Sequence, residues 1–186
     1  MVWNPGLYLK FHSARLRPAI DLLQKSMEMI GPNFGSVKQI LDLGCGPGNV
    51  TPYICEMFPN SNVHGVDSSK EMIEKATKSV SETDFKSRAT FSINSIEDLV
   101  NEAKTKEMRY DFIYSNAALH WCVNHEKLLP EIIEHMLSRS NGVLAIQIPD
   151  TLTQKSHTLM ETAALRSGLI EAVKNVRIPR ADHSPE

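Results

Sequence analysis

The sequence lacks the features that are typical of disulfide-rich, metal-binding, membrane and nucleic-acid-binding proteins. Its three cysteines are odd in number and include no Cys-x-x-Cys pair, so neither a disulfide framework nor a metal site is predicted. No apolar run approaches the roughly 20 residues that span a bilayer, and the start Trp3-Asn4-Pro5, soon followed by charges, is not that of a signal peptide. A formal net charge of −2 gives no field to attract nucleic acid or an anionic membrane. We therefore expect a cytoplasmic protein without nucleic-acid or membrane partners.

What remains is the composition of an ordinary globular protein. The 186 residues are 41% apolar and 23% charged, which suits one domain with a sizeable core. Strand and helix patterns alternate from about residue 18, and the apolar runs that predict strands are residues 37–43, 63–66, 89–93, 110–115 and 143–148. This alternation predicts an α/β, Rossmann-like fold, with a parallel five-stranded sheet and flanking helices.

Helix boundaries are marked by several local signals. Pro18 begins the first predicted helix, which ends at Gly31-Pro32, and the helix after the first strand ends before Pro59. Ser68 and Glu71 form a capping-box pattern that predicts the start of the next helix. These signals place helices between the predicted strands.

The last third of the chain predicts a helix with an apolar face over residues 128–137, a strand and a final helix. The strand over residues 143–148 is unbroken and β-branched, which predicts that both of its faces are covered. A last helical pattern runs from Leu159 to Val173, and no strand-like run follows Ile148. The fifth strand is thus predicted to be a sheet edge, which gives a monomer if it is covered and self-association otherwise.

The most informative stretch is Asp42-Leu43-Gly44-Cys45-Gly46-Pro47-Gly48, which follows the first predicted strand. Glycines at every second position let the backbone turn sharply and approach a ligand, and the following helix start offers unpaired N–H groups. Asp67 ends the second strand, where an acidic side chain accepts hydrogen bonds from both hydroxyls of a ribose. Because both features end parallel strands, we expect them to form one site at the carboxyl edge of the sheet.

The spacing of the glycines differs from the dinucleotide fingerprint. There the third glycine follows two intervening residues, whereas here it follows one, and an acid lies two residues before the first glycine. This acid-x-Gly-x-Gly-x-Gly arrangement resembles motif I of the class I S-adenosylmethionine (SAM)-dependent methyltransferases. The resemblance implies that the loop wraps the amino-acid part of SAM, which has no pyrophosphate. A turn that serves only the fold and an NAD site are the alternatives.

Further blocks resemble the trans-aconitate methyltransferases, in order and over nearly the whole chain. They are Trp3-Asn4-Pro5-x-x-Tyr8-x-x-Phe11, Arg15-x-Arg17-Pro18-Ala19-x-Asp21-Leu22-Leu23, Gly65-Val66-Asp67-Ser68-Ser69-x-Glu71-Met72, Asn116-Ala117-x-Leu119-x-Trp121, His125-Glu126-x-Leu128-Leu129-Pro130 and Gly142-Val143-Leu144-Ala145-x-Gln147-x-Pro149-Asp150. The resemblance implies a SAM-dependent enzyme that methylates a carboxylate of a small polycarboxylic acid. Such an acceptor is already ionised at neutral pH, so no general base is required.

The resemblance also implies how the chain is divided. Residues 1–35 would form an N-terminal lid and the first helix, and residues 36–186 the SAM-binding methyltransferase domain. The family continues with antiparallel strands and helices that help to close the substrate pocket, so we expect the class I methyltransferase fold truncated at its C-terminus. A SAM-binding or partner-binding domain without efficient catalysis is therefore the alternative function.

Candidate site residues follow from the same resemblance. SAM would be held by Asp42, Gly44, Cys45, Gly46, Gly48, Asp67, Ser68, Met72, Ser95, Ile96 and Asn116. The small anionic acceptor would be held by Trp3, Tyr8, Arg15 and Arg17, and His120 and Trp121 would lie near the transferred methyl group. Ser95 stands where the family usually has an acid for the adenine amino group, and His120 replaces the usual glutamine. A packing tryptophan, a structural histidine, surface arginines and a space-filling Cys45 are the alternatives.

The sequence lacks the signatures of two classes of nucleic-acid methyltransferase. An adenine-N6 enzyme would show Asn/Asp-Pro-Pro-aromatic after the fourth strand, where this chain has Ser115-Asn116-Ala117-Ala118. A cytosine-C5 enzyme needs a Pro-Cys nucleophile, and no cysteine in this sequence follows a proline. The absence of both signatures and the net charge of −2 argue against a nucleic-acid substrate.

Overall fold

A computed structural model of the chain describes residues 16–149, 155–169 and 171. Strands β1 to β5 are Gln39–Leu43, Asn62–Asp67, Ala89–Ile93, Phe112–Asn116 and Val143–Gln147. Helices α1 to α6 are Arg17–Ile30, Thr51–Met57, Lys70–Ser81, Ile96–Ala103, His125–Met136 and Lys155–Arg166. Short 3₁₀ turns span Gly31–Ser36 and Leu119–Trp121. Every predicted strand is present, although β1 and β4 each begin two residues later than their apolar runs.

The five strands form one parallel sheet in the order β3-β2-β1-β4-β5. β1 lies in the middle, and the chain leaves it first toward β2 and later returns to its other side as β4. In register, Asp42 of β1 lies opposite Gly65 of β2 and Tyr114 of β4. The predicted α/β, Rossmann-like fold with a parallel five-stranded sheet is confirmed. Its topological switch point is beside β1, where ligands bind in sheets of this kind.

Each face of the sheet carries its own hydrophobic core. The described residues as far as Ile148 form one compact unit, and those from Pro149 onward form another. In the first unit, Ile40 and Tyr114 pack in the core that includes α1 and α2, whereas Leu41 and Ile113 pack in the core that includes α4 and α5. This alternation follows from the two-residue period of side chains along a strand. The predicted division at residues 35 and 36 stays a prediction.

The first turn of α1 contacts the carboxyl half of β4. The Tyr114 hydroxyl donates a hydrogen bond to the Ala19 carbonyl at 2.9 Å, and both residues are fully buried. Pro18 suits this helix start because the first helical position has no intrahelical partner for an N–H. The chain therefore enters α1 close to the strand that lies opposite Asp42.

The predicted capping box at Ser68 and Glu71 is wrong by one residue. The N-cap of α3 is Ser69, whose backbone is extended and whose Oγ accepts a hydrogen bond from the Met72 amide at 3.4 Å. Glu71 pairs instead with Lys75, one turn further along the helix, at 2.6 Å. The side chain of Ser68 is exposed. Both serines have cap chemistry, and the backbone angles decide which of them serves.

The prediction that β5 is covered on both faces is confirmed only in part. Val143 and Ala145 pack with the core that includes α1 and α2, while Leu144 and Ile146 pack against the other core. Among the five residues only Ala145 is buried, and Ile148 just beyond the strand is exposed. Within the described part of the chain β5 pairs with β4 alone, so it is an edge of the sheet. An edge strand has a neighbour on one side, which leaves its apolar side chains partly open. Self-association through this edge stays a prediction.

Two predicted helical stripes bury less than their patterns suggest. Ile133 lies in the predicted apolar face of α5 but is half-exposed, whereas Leu128 and Ile132 are buried. In the second unit, Leu159 and Leu169 are both exposed. The side chain of Met160 and residue Val173, which belong to the same pattern, lie outside the description. No described helix is long and apolar enough to cross a membrane.

Candidate functional site

The loop after β1 turns on three glycines with positive φ angles. An added Cβ would lie 2.1 Å from the Cβ of Ala118 at Gly44 and 2.8 Å from that of Ala76 at Gly48. These two glycines are therefore required by packing within the protein. Gly46 also has a positive φ, of 55°, but a Cβ there would meet no described atom within 4 Å. The open side of the loop, where a ligand can approach the backbone, is at Gly46.

The N–H groups of this loop are already used inside the protein. Four of them donate backbone hydrogen bonds to neighbouring acceptors: Gly44 and Cys45 to the Val66 carbonyl at 2.8 and 2.9 Å, Gly46 to the Asp67 carboxylate at 3.0 Å, and Gly48 to the Cys45 carbonyl at 3.2 Å. A pyrophosphate site needs such amides to point at the ligand. The loop is therefore poorly equipped to hold a phosphate.

The start of α2 offers an anion fewer amides than most helix starts do. The sequence predicts unpaired N–H groups there, but the amides of Tyr53 and Ile54 both donate to the Val50 carbonyl, at 2.9 and 3.2 Å. Pro52 has no N–H at all. The prediction is therefore wrong for Pro52 and Tyr53, while the Ile54 bond is the first ordinary bond of the helix and does not bear on it. Two of the amides that a helix start usually offers to an anion are thus unavailable here.

Asp67 joins the end of β2 to the glycine loop. Its Oδ2 accepts the Gly46 amide at 3.0 Å, and its Oδ1 accepts the Ser69 amide at 2.8 Å. The side chain is half-buried. Each carboxylate oxygen has a second lone pair, so Asp67 retains the capacity to accept two further hydrogen bonds from hydroxyls. Its backbone bonds fix where that capacity is directed.

Asp42 is the second acid of the site and is buried in β1. Only 2% of its surface is exposed, and its Oδ2 accepts a hydrogen bond from the Thr51 hydroxyl at 3.0 Å. Burial raises the pKa of Asp42 to about 7, the Thr51 hydrogen bond opposes that rise, and the charge of Asp67 adds to it. Two carboxyl groups close enough to influence each other give this edge a negative electrostatic potential. Such an edge favours cationic and hydroxyl groups over phosphate.

Cys45 fills space beneath the loop. It is buried, and its Sγ lies 3.0 Å from where a Cβ on Gly65 would stand. Burial raises the pKa of the Cys45 thiol far above its ordinary value, with the nearby acids adding to the effect. A buried thiol of this kind is unreactive. The space-filling alternative therefore describes the side chain well, while its backbone belongs to the loop.

The predicted adenine surroundings lie near the ends of β2 and β3. Asp67 is in register with Ile93, and the Asn94 amide donates to the Asp67 carbonyl at 3.1 Å. Ser95 caps α4: its Oγ accepts the Asp98 amide at 3.0 Å and donates to Asp98 Oδ2 at 2.7 Å. The Ser95 hydroxyl is thus engaged within the protein. Ser68 is exposed, Met72 is half-buried, and the Ile96 side chain is buried in the core beside α4.

Sequence reasoning assigned no role to two residues of this edge. Ile93 ends β3 with 53% of its surface exposed, and it lies beside Asp67. An apolar side chain that is last in a predicted strand, next to an acid at the site, was the available signal. Thr51 is fully buried and bonded to Asp42. Its signal was a hydroxyl residue at the start of the helix that follows the glycine loop.

The residues at the end of β4 line the same edge of the sheet on the other side of β1. Asn116 ends the strand, and its buried Oδ1 accepts no hydrogen bond from the described residues. Ala117 adopts a positive φ of 52°, which is strained for alanine, while its amide donates to the Gln147 carbonyl at 2.9 Å. The buried oxygen of Asn116 fits a ligand that brings a donor, such as an ammonium or hydroxyl group.

His120 and Trp121 lie together in the 3₁₀ turn that follows. Their ring centroids are 4.9 Å apart. The Trp121 side chain is 67% exposed, so it is not a core residue. An exposed aromatic face at the carboxyl edge of the sheet is available to a ligand or a cation. Among the described residues, no group of three or more His, Cys, Asp and Glu side chains could hold a metal ion.

Only one of the predicted acceptor-binding residues is described. Trp3, Tyr8 and Arg15 lie outside the described residues. Arg17 begins α1 with an exposed side chain, and its Nε is 3.6 Å from Asp21 Oδ2. An exposed i,i+4 pair of this kind contributes little to stability. The guanidinium can therefore exchange Asp21 for another carboxylate at small cost.

The comparisons with known proteins agree on one family. The model of a family described as a methyltransferase domain matches residues 35–179. A trans-aconitate 2-methyltransferase from Enterobacter sp. (strain 638) is 40% identical over 166 residues, which are 89% of this chain and 58% of that protein. Another from Klebsiella pneumoniae (strain 342) is 34% identical over 95% of this chain and 62% of its own length. The chain thus spans about 60% of the length of these curated relatives.

Solved structures share the fold at lower identity. The structure of a candidate sarcosine dimethylglycine methyltransferase from Galdieria sulphuraria matches with a TM-score of 0.62 and 19% identity, over 86% of this chain and 60% of that one. At this level of identity the likeness shows the fold alone.

Proposed function

The chain belongs to the methyltransferase-domain family, and on that premise we propose that the carboxyl edge of its sheet binds SAM. We further propose that the whole protein transfers the SAM methyl group to a carboxylate of a small polycarboxylic acid, with trans-aconitate as the first candidate. Relatives at 33–40% identity that are named trans-aconitate 2-methyltransferase support this choice of acceptor. Their names describe those proteins, and the acceptor of this chain follows only by similarity.

One observation carries the choice of SAM over a dinucleotide. The amides of the glycine loop donate hydrogen bonds to Val66, Asp67 and Cys45, and Asp42 and Asp67 place two carboxyl groups beside the loop. A pyrophosphate would find few donors and a repulsive field in this position. SAM has no phosphate and carries an ammonium and a sulfonium, and its ribose hydroxyls complement an acid at the end of β2. The two carboxyl groups and the engaged amides of the loop therefore fit SAM better than a dinucleotide.

Three residues would hold separate parts of the ligand. Asp67 would accept the ribose hydroxyls, and Asp42 would act on the methionine part through its charge. The buried Oδ1 of Asn116 would accept a hydrogen bond from the same part of the ligand. Gly46 would let the backbone approach because its open side carries no Cβ. SAM, when bound, supplies an electrophilic methyl group.

The remaining task of the protein is alignment of the acceptor. A carboxylate acceptor is ionised at neutral pH, so no side chain has to remove a proton. Trp121 and His120 would form a wall that excludes water from the acceptor oxygen. A charged nucleophile is more reactive when its hydrating water is removed. Arg17 would offer its guanidinium to a second carboxylate of the acceptor. Correct alignment alone supplies much of the rate enhancement in such reactions.

A two-part assay tests the proposal. The chain is first titrated with SAM, and then incubated with methyl-labelled SAM and a panel of di- and tricarboxylates, with monocarboxylates as controls. We expect saturable binding and label transfer that prefers polycarboxylates. Binding without transfer to any acceptor would favour the alternative of a SAM-binding domain without efficient catalysis. Absence of saturable binding would contradict the proposed function itself.

A further inference from the structure

Thr51 makes a buried contact with an acid of the proposed site. Its hydroxyl donates to Asp42 Oδ2 at 3.0 Å, across the turn that the glycine loop makes between β1 and α2. Thr51 is fully buried and Asp42 is only 2% exposed, so bulk water has no access to replace this bond. Hydrogen bonds from a hydroxyl to a carboxylate are among the stronger ones in proteins, although this one is longer than the roughly 2.5–2.7 Å that is typical of them. Burial of both partners protects the contact from exchange with water.

The titratable groups that interact electrostatically with Asp42 are all acids. The charge of Asp67, at the end of β2, raises the pKa of Asp42. The charge of Asp42 in turn raises the pKa of Tyr114 on β4, of the Cys45 thiol in the loop and of the Cys55 thiol on α2. The Tyr114 hydroxyl is committed to the Ala19 carbonyl and does not donate to Asp42. No member of this set is a cation that would stabilise a buried carboxylate. The hydrogen bond from the Thr51 hydroxyl lowers the pKa of Asp42 and thus favours its charged form.

We propose that Thr51 is a positioning residue of the SAM site, whose hydroxyl fixes the orientation of the Asp42 carboxylate and favours its anionic form. This inference rests on the proposed function, because it concerns how the same site attracts its ligand. The amino-acid part of SAM carries an ammonium group, which an anionic Asp42 attracts and a neutral one does not. The same holds for S-adenosylhomocysteine, which keeps that ammonium. Thr51 would therefore set the lowest pH at which the site binds either ligand well.

The test compares two substitutions at one position. Thr51→Val has nearly the same shape as threonine but lacks the hydroxyl, whereas Thr51→Ser keeps it. The affinity for SAM is measured by calorimetry between pH 6 and pH 9 for both variants and the natural chain. Because burial raises the pKa of Asp42 to about 7, the natural chain should lose affinity as the pH falls through that region. Without the hydroxyl the loss should begin about one pH unit higher.

The expected pattern separates positioning from a general role in folding. Thr51→Val should bind SAM about fivefold more weakly at pH 7 yet match the natural chain at pH 9, and Thr51→Ser should follow the natural profile. S-adenosylhomocysteine should show the same shift. A Thr51→Val profile that coincides with the natural one, or that is lowered equally at every pH, would overturn the inference.

A second measurement does not depend on SAM. The ¹³C resonance of the Asp42 carboxyl carbon is followed by pH titration in the ligand-free chain and in Thr51→Ala, which serves if Thr51→Val does not fold. We expect the higher midpoint in the variant, and equal midpoints would overturn the inference. If the natural chain showed no SAM binding at any pH, the proposed function would fail. The NMR midpoints would then still decide whether Thr51 controls the charge of Asp42.

Discussion

The Asp67 carboxylate accepts the Gly46 amide at 3.0 Å and thereby ties the end of β2 to the loop that follows β1. The same side chain accepts the Ser69 amide, at the start of α3. One acid therefore positions both the loop and a helix of the proposed site. Replacement of Asp67 by alanine should disturb the loop as well as remove the ribose acceptor.

The open side of the loop can be tested with a matched pair of glycines. Gly46→Ala places a methyl group where we expect the ligand, so it should weaken SAM binding by at least about tenfold. Gly31 has a φ of +59°, close to the +55° of Gly46, and an added Cβ meets no described atom at either position. Gly31→Ala should also strain the backbone, by at least about 1 kcal/mol because its ψ of −140° lies close to a region that is almost exclusive to glycine, without affecting SAM affinity. Equal SAM affinities in the two variants would show that the ligand does not lie against Gly46.

Asp42 should reduce stability at neutral pH. Its pKa is raised from 3.8 to about 7 in the folded state, so the unfolded chain releases this proton first as the pH rises. The contribution of Asp42 to the free energy of unfolding should therefore fall between about pH 4 and pH 7, and remain low above that. Asp42→Asn keeps an acceptor for Thr51 and removes the charge. It should raise the free energy of unfolding at pH 8 by up to about 4 kcal/mol, and far less at pH 4.

Urea unfolding of both proteins at several pH values measures this difference. A constant difference across the pH range would contradict the assignment of a raised pKa to Asp42. We also expect Asp42→Asn to bind SAM more weakly, because the charge that attracts the ammonium is lost. A gain in stability at the expense of binding is typical of functional sites.

The strained turn after β4 offers another pair. Ala117→Gly should stabilise the chain by up to about 1 kcal/mol, because glycine adopts a positive φ without steric cost while losing more entropy on folding. Asn124 has a similar φ of 56°, but asparagine tolerates that conformation better than alanine does. Asn124→Gly should therefore gain less. Thermal unfolding of both variants checks the order, and a larger gain in Asn124→Gly would contradict it.

Trp121 should report on the ligand without supporting the fold. The chain has two tryptophans, Trp3 and Trp121, and Trp121 is 67% exposed. Trp121→Ala should change the free energy of unfolding by less than about 0.5 kcal/mol, as exposed positions usually do. It should also remove most of the change in tryptophan emission that SAM causes. Ile133→Ala, at a half-exposed apolar position on α5, is the control and should leave that change intact.

The sheet and the loop could be predicted because their signals are local. Apolar runs gave the strands, and the glycine spacing gave the loop with Asp67 beside it. The partners of the loop amides could not be predicted, since the Val66 carbonyl and the Asp67 carboxylate reach the loop only when β2 pairs with β1. The choice between Ser68 and Ser69 as a cap depends on backbone angles that the two residues' chemistry does not distinguish. The partial exposure of β5 depends on its place at the sheet edge, which its β-branched sequence does not encode.

The central claim is that the carboxyl edge of the sheet, with Asp67 as ribose acceptor, binds SAM. Calorimetric titration of the chain and of Asp67→Ala with SAM at pH 8 tests it most directly. We expect saturable binding at one site in the natural chain, and affinity lower by about tenfold or more in the variant, since hydrogen bonds to a charged acceptor are lost. Circular dichroism would first establish that the variant is folded. Saturable binding with the same affinity in both proteins, or none in the natural chain, would contradict the claim.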